Sequence, residues 1–233
     1  MRHGFIQTQN YKTFVENVTA LRNTELEEFN SARMALFYGS YGIGKTWAIE
    51  KLAAQEEKNI IFLRAEEVWT KSYLVKKIGI EFGVENQKIT DTSDEIKRHL
   101  RVDDRIIVVD EVDKLLTSAK HELLEIFRDL TDQTSCVVIF IGMEESALKW
   151  ARYGHYYSRL KLIKLTQNTL EDMKSFCELC EVKIEDDLMH YFNKRFGNLR
   201  NVKRILEDIE EYCELQDIES VGKKLYDNMG VER

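Results

Sequence analysis

Met34-Ala35-Leu36-Phe37-Tyr38-Gly39-Ser40-Tyr41-Gly42-Ile43-Gly44-Lys45-Thr46-Trp47 is the stretch on which the reading of this chain turns. Five residues that read as a buried strand run into a glycine-punctuated turn, and from Thr46 to Gln55 apolar residues recur at helical spacing. The turn, Gly39 through Thr46, fits G-x-x-x-x-G-K-[ST], a pattern that carries physical meaning when a strand precedes it and a helix follows. Glycines allow successive backbone N–H groups to wrap a phosphate chain, and the helix opening there adds its positive end. The expected binding segment is Gly39, Ser40, Tyr41, Gly42, Ile43, Gly44, Lys45, Thr46 and Trp47. Lys45 reaches the β- and γ-phosphates, and the Thr46 hydroxyl sits on Mg²⁺.

Downstream, short apolar runs alternate with amphipathic ones. Asn59–Leu63, Arg105–Val109, Cys136–Ile141 and Lys161–Leu165 read as further strands, and Thr46–Gln55, Ser72–Phe82, Asp94–Leu100, Ala119–Leu130 and Glu145–Ala151 as the intervening helices. A strand–helix alternation of this kind specifies an α/β fold with a doubly wound, parallel, five-stranded sheet. From Asn168 the strand pattern stops. Helical periods follow at Leu170–Cys180, Ile184–Arg195, Leu199–Leu215 and Ile218–Met229, so residues 1–167 are expected to form the α/β core and 168–233 a small C-terminal all-helical domain. Ahead of the first strand, Tyr11–Arg22 reads as one amphipathic helix.

The third strand ends in Asp110-Glu111, two adjacent carboxylates at the carboxyl edge of the sheet, where open α/β sheets place their ligands. Successive side chains on a strand point to opposite faces, so the pair divides its labour. Asp110 is placed to hold Mg²⁺ and its water shell, and Glu111 to orient and deprotonate an attacking water.

Composition narrows the class. With 233 residues, 43% hydrophobic and 32% charged, the chain is long enough to bury a substantial core, and it contains no proline. The net charge of -7 excludes a chain that coats polyanions by bulk electrostatics. Lys and Arg nearly balance Asp and Glu up to Leu170, and the acidic surplus lies from Glu171 onward, so any polyanion-facing surface belongs to the first 170 residues. Four cysteines form no disulfide framework, and the Cys177-x-x-Cys180 pair lacks the second pair a structural zinc needs. The longest apolar run, around Cys136 to Ile141, is far shorter than the ~20 residues of a bilayer span, and the expected location is the cytoplasm, without membrane contact.

At the residues quoted, the chain resembles the AAA+ ATPases, in the bacterial branch of the phage Mu B protein and related transposition regulators. The resemblance rests on Phe37–Trp47, Val109-Asp-Glu-Val-Asp-Lys-Leu115, Val138-Ile-Phe-Ile-Gly-Met-Glu144, Tyr157-Ser-Arg-Leu160 and Gly197-Asn-Leu-Arg-Asn-Val-Lys-Arg204. The opening Thr8–Phe14 looks like the segment that packs near the nucleotide base in such proteins. The resemblance implies an AAA+ P-loop NTPase fold with a helical lid, ATP and Mg²⁺ as cofactors, and ATP hydrolysis. Arg159 matches the arginine that reaches a neighbouring subunit's nucleotide, with Arg152 as a second candidate, and Arg200 matches the sensor arginine of the lid. A permanently charged fork suits both roles. An arginine given to a neighbour implies a homo-oligomer, stacked as a ring or helical filament. At the end of the fourth strand, many family members carry Asn, Thr or Ser to position water, whereas this chain reads Gly142-Met143-Glu144-Glu145, which implies slow turnover.

The same resemblance implies that the ATP-bound oligomer tracks the backbone of double-stranded DNA without reading sequence and recruits or activates a transposase. Lys71, Lys76, Lys77 and Lys120 are the candidate DNA contacts. Two other functions stay open: a nucleotide-gated scaffold that binds a protein partner without DNA, for which the acidic C-terminal region speaks, and a replication-initiator or helicase-loader type of ATPase, which shares the Gly-Asn-Leu-Arg pattern.

Overall fold

The computed structural model of the protein describes residues 2, 4–23, 33–55, 59–84 and 87–230. Five apolar segments build one parallel sheet: β1 (Met34–Tyr38), β2 (Ile60–Arg64), β3 (Ile106–Asp110), β4 (Val137–Gly142) and β5 (Leu160–Lys164). Their order is β2-β3-β4-β1-β5, so β1 sits between β4 and β5; the chain first crosses outward from β1 to β2 at the sheet's edge, then winds back through β3 and β4 to β5. The register brings Tyr38 beside Gly142 and Arg64 beside Asp110, which aligns the carboxyl ends of β1 to β4 along one edge. That edge is where a doubly wound sheet opens a crevice. The strands are Val/Ile/Leu-rich and buried because helices cover both faces.

Around the sheet lie α1 (Gln9–Asn23), α2 (Lys45–Gln55), α3 (Lys71–Ile80), α4 (Ile89–Leu100), α5 (Leu124–Thr134), α6 (Ser146–Ala151) and α7 (Gly154–Tyr157). The core beneath them includes Trp69 and Trp150, both essentially inaccessible, and the rings of Phe127 and Trp150 both pack on Phe140, at centroid distances of 5.5 and 4.7 Å. The C-terminal region holds α8 (Leu170–Cys177), α9 (Asp186–Arg195), α10 (Leu199–Gln216) and α11 (Lys223–Met229) about a separate core of Met173, Leu188, Phe192, Leu206 and Ile209. The start of α8 is fixed by a reciprocal capping box between Thr169 and Asp172.

By packing, the described residues divide into two compact units, one of Phe14–Gly39 with Thr46–Lys164, and one of Met1–Thr13, Ser40–Lys45 and Leu165–Arg233. The helical period of the C-terminal region has one addition. A parallel pair of two-residue strands, β6 (Lys183–Ile184) and β7 (Ser220–Val221), overlaps the starts of the segments expected as helix over Ile184–Arg195 and Ile218–Met229. Two residues are too few to display a strand period, and their buried Ile184 and Val221 fall in step with the adjoining helical pattern. The expected helix over Ala119–Leu130 is a 3₁₀ turn at His121–Leu123 followed by α5, and α4 begins five residues before its expected start.

All four cysteines are buried free thiols. Burial pushes the Cys177 and Cys180 thiols up to about 12, which disfavours the thiolate that metal binding or nucleophilic attack requires. No helix of the described residues is long and apolar enough to cross a membrane.

Candidate functional site

At the carboxyl edge of the sheet, β3 delivers Asp110 with its side chain almost fully buried. Its Oδ2 accepts a 2.9 Å hydrogen bond from the Thr46 hydroxyl, in the first turn of α2, and its Oδ1 accepts from the Glu111 N–H at 2.8 Å. Two hard oxygen ligands held side by side fit Mg²⁺, which takes one or two protein oxygens and completes its shell with water and phosphate.

Glu111 leaves the strand in the left-handed conformation, φ 56° and ψ 38°. For a residue with a Cβ this costs on the order of 1–2 kcal/mol, a strain that persists where the surroundings fix it. The turn it starts, a 3₁₀ helix over Val112–Lys114, is buried at Val112 and Leu115. The half-exposed Glu111 carboxylate pairs with Lys114. Arg64, the last residue of β2, places Nε 3.9 Å from both Asp110 Oδ2 and Glu111 Oε1 while its other arm pairs with Glu50. Sequence reasoning missed Arg64; its signal was a charged residue closing an apolar run at the sheet's carboxyl edge.

Within the other unit, the loop residues Gly42 and Gly44 take φ of 72° and 92°, a conformation that side chains resist. The Lys45 ammonium donates to the Ser40 carbonyl at 2.6 Å, so the lysine curls along its own loop. A Cβ on Gly42 would lie 2.1–2.3 Å from the Asn198 amide, whereas one on Gly44 would meet nothing within 4 Å. Gly44 thus leaves its backbone open to a ligand, as a phosphate-cradling loop requires.

Asn198 has two tasks. As the cap of α10 its Oδ1 accepts from the N–H groups of Arg200 and Asn201 at 2.9 and 3.3 Å, and its Nδ2 reaches the Tyr41 carbonyl at 3.5 Å. Asn10, nearly inaccessible, donates from Nδ2 to the carbonyls of Ile43 and Thr166 and accepts from the Thr166 N–H. Neither asparagine was singled out from the sequence. For Asn198 the signal was an N-cap residue just before a strong helical period, and for Asn10 only its place in the opening Thr8–Phe14 stretch. Asn198→Ala should cost about 1 kcal/mol in helix capping and lower the Tm by about 2–4 °C in a thermal melt. An unchanged Tm would mean that the cap contributes nothing.

The remaining site candidates are distributed as follows. Arg200 is exposed on the first turn of α10, and Trp47 stands partly exposed at the start of α2. Arg159, half-exposed, pairs with Asp132 of α5, and Arg152 is exposed at the end of α6. Of the four lysines expected on DNA, three are committed within the chain. Lys71 pairs with Glu122 at 2.9 Å, and Lys120 donates to the Trp69 carbonyl at 2.8 Å. Lys77 pairs with Glu66 at 2.9 Å over the Trp69 ring, which holds the Glu66 carboxyl below its ordinary range. Lys76 is exposed. Charge spacing in the sequence could not reveal these partners, because Glu66 and Glu122 lie in other elements.

The AAA domain family matches residues 28–150, more than half of the chain, and the chain belongs to that family. No curated protein matches the sequence. Among solved structures, the Orc1 protein of Aeropyrum pernix in complex with DNA is similar, with a TM-score of 0.66 at 17% identity over 96% of this chain and 65% of that one. Cdc6p from Pyrobaculum aerophilum has a TM-score of 0.60 at 13% identity over 91% of this chain and 63% of that one. A RuvB variant from Thermotoga maritima has a TM-score of 0.59 at 17% identity over 95% of this chain and 69% of that one. The chain therefore spans a little under two thirds of the Orc1 and Cdc6p chains, and the likeness establishes the AAA+ fold.

Proposed function

We propose that this protein is an ATP-hydrolysing switch that assembles on duplex DNA and regulates transposition by recruiting or activating a transposase. The observation that carries the nucleotide part is the Thr46–Asp110 hydrogen bond, which sets two Mg²⁺-type ligands at the head of the sheet in a chain of the AAA domain family. Thr46 and Asp110 would hold Mg²⁺, which would supply charge neutralisation at the phosphates of bound ATP and so make the γ-phosphoryl group easier for water to attack. Gly39–Lys45 cradles the phosphates through backbone N–H groups, Lys45 exchanges the Ser40 carbonyl for phosphate oxygens, and Thr46 and Asp110 hold the metal. Glu111 orients the attacking water and takes its proton. Arg200 offsets charge on the γ-phosphoryl group in the same chain, and Arg159 does so in the neighbouring copy once released from Asp132, with Arg152 the second candidate for that role.

For the DNA part, exposed Lys76 and the exchangeable Lys71 are the contacts to weigh most, with Lys77 and Lys120 shaping the segment that carries them. The transposition role rests on the likeness of the quoted motifs to the Mu B branch. A replication-initiator role is the second reading, favoured by the similarity, over nearly the whole chain, to an Orc1 protein seen with DNA. Co-sedimentation with random-sequence duplex, with ATP or ADP and at two salt concentrations, tests the DNA part. Binding should require ATP and fall steeply with salt, as backbone contacts do. ATP-dependent assembly without DNA would favour the protein scaffold instead, and a preference for one duplex sequence would favour the initiator.

A further inference from the structure

Asp113 lies outside every role assigned so far, yet its carboxylate makes two short contacts near the acidic edge of the sheet. Oδ2 accepts from the Met143 backbone N–H at 2.7 Å and Oδ1 from the Ser146 hydroxyl at 2.7 Å, with the Lys149 ammonium 3.7 Å away. Met143 directly follows β4, and Ser146 is the first residue of α6. Asp113 itself sits in the middle of the 3₁₀ turn that Glu111 opens. One side chain thus bolts the segment after β3 to the segment after β4.

Gly142 records how tight that bolt is. A Cβ there would lie 2.2 Å from the Ser146 Oγ, 2.8 Å from its Cβ and 3.1 Å from Asp113 Oδ2. Ser146 is fully buried, so its hydroxyl fills the place where a side chain on residue 142 would begin. The turn is pinned from the other side by Val112 and Leu115, both inaccessible, through the Leu115 N–H to Val112 carbonyl bond of 2.8 Å. Glu111 enters this doubly held turn with positive φ, a conformation that relaxes unless the following residues are fixed.

The geometry points to Asp113 as a positioning residue for hydrolysis: through Met143 and Ser146 it holds the strained Glu111 backbone, and so the Glu111 carboxylate, in place. This inference rests on Glu111 acting as the base. Asp113→Asn is nearly isosteric but neutral: its Oδ1 can still accept from the Met143 N–H, while its amide group must reverse the bond to the Ser146 hydroxyl, and both charge-assisted bonds and the attraction to Lys149 are lost. Small displacements of a catalytic group cost up to about a hundredfold.

The test is steady-state hydrolysis of Mg²⁺-ATP, fluorescent-nucleotide binding and amide hydrogen exchange on wild type, Asp113→Asn, Ser146→Ala, the double variant and Lys45→Ala. Asp113→Asn should lower kcat roughly tenfold or more with KM and nucleotide affinity within about twofold, and should speed exchange of the Met143 amide. Ser146→Ala, milder and safer for folding, should lower kcat less, and the double variant should be no worse than Asp113→Asn, because the two groups act as one. Turnover that Lys45→Ala abolishes but Asp113→Asn leaves at the wild-type rate, or a defect confined to melting temperature or KM, overturns the positioning role alone. Turnover and nucleotide binding that survive Lys45→Ala overturn the phosphate-loop reading, and a wild type without turnover overturns both.

Discussion

Lys45→Ala is expected to abolish measurable ATP binding, with Kd weakened at least a hundredfold in a fluorescent-nucleotide titration. The lysine is the one cation in the Gly39–Thr46 segment, and hydrogen bonds from charged donors are worth about 1.5–3 kcal/mol each. On a compact triphosphate the ammonium serves two phosphate groups together, so losing it removes both. In the structure Lys45 donates to the carbonyl of Ser40, at a loop whose shape Gly42, Gly44, Asn10 and Asn198 already determine. Melting temperature should therefore hold while binding is lost. Retained micromolar affinity would contradict the phosphate-loop assignment.

Glu111→Gln should leave nucleotide affinity near wild type and slow hydrolysis by about 10²–10⁴-fold, the range that general-base catalysis supplies. Glutamine keeps the size and the left-handed backbone cost of glutamate, so the turn should be unaffected, but its amide cannot take a proton from water. The Lys114 and Arg64 contacts give a second readout. Both cations face Glu111, and a neutral amide weakens both contacts, while Arg64 keeps Glu50 and Asp110 as partners and Asp110 stays tied to Thr46 and to the Glu111 N–H. Single-turnover kinetics with bound ATP would decide. Wild-type turnover in this variant removes Glu111 from the base role. With hydrolysis blocked, any ATP-dependent assembly should persist longer.

The sheet was legible because five β-branched and aliphatic runs of strand length alternate with helical periods; the first strand falls where it was expected and the other four are displaced by one residue. The glycine loop was legible as a fixed-spacing motif, and Asp110-Glu111 as carboxylates closing a buried run. Three kinds of information were not in the pattern. The β6–β7 pair is too short to be periodic. The commitments of Lys71, Lys77 and Lys120 depend on Glu122, Glu66 and the Trp69 carbonyl, which sequence distance does not advertise. The Asp113–Ser146 bond joins residues 33 apart through a serine that reads as an ordinary first residue of a short helix, while Gly142 looked like a missing polar group when its lack of a side chain is what admits the serine.

Calorimetric titration of the wild-type protein with ATP, with and without Mg²⁺, tests the central claim most directly. One nucleotide per chain, bound more tightly when Mg²⁺ is present, is the predicted result, because Thr46 and Asp110 contribute only through the metal. Absence of binding heat at millimolar nucleotide, or binding indifferent to Mg²⁺, would contradict it.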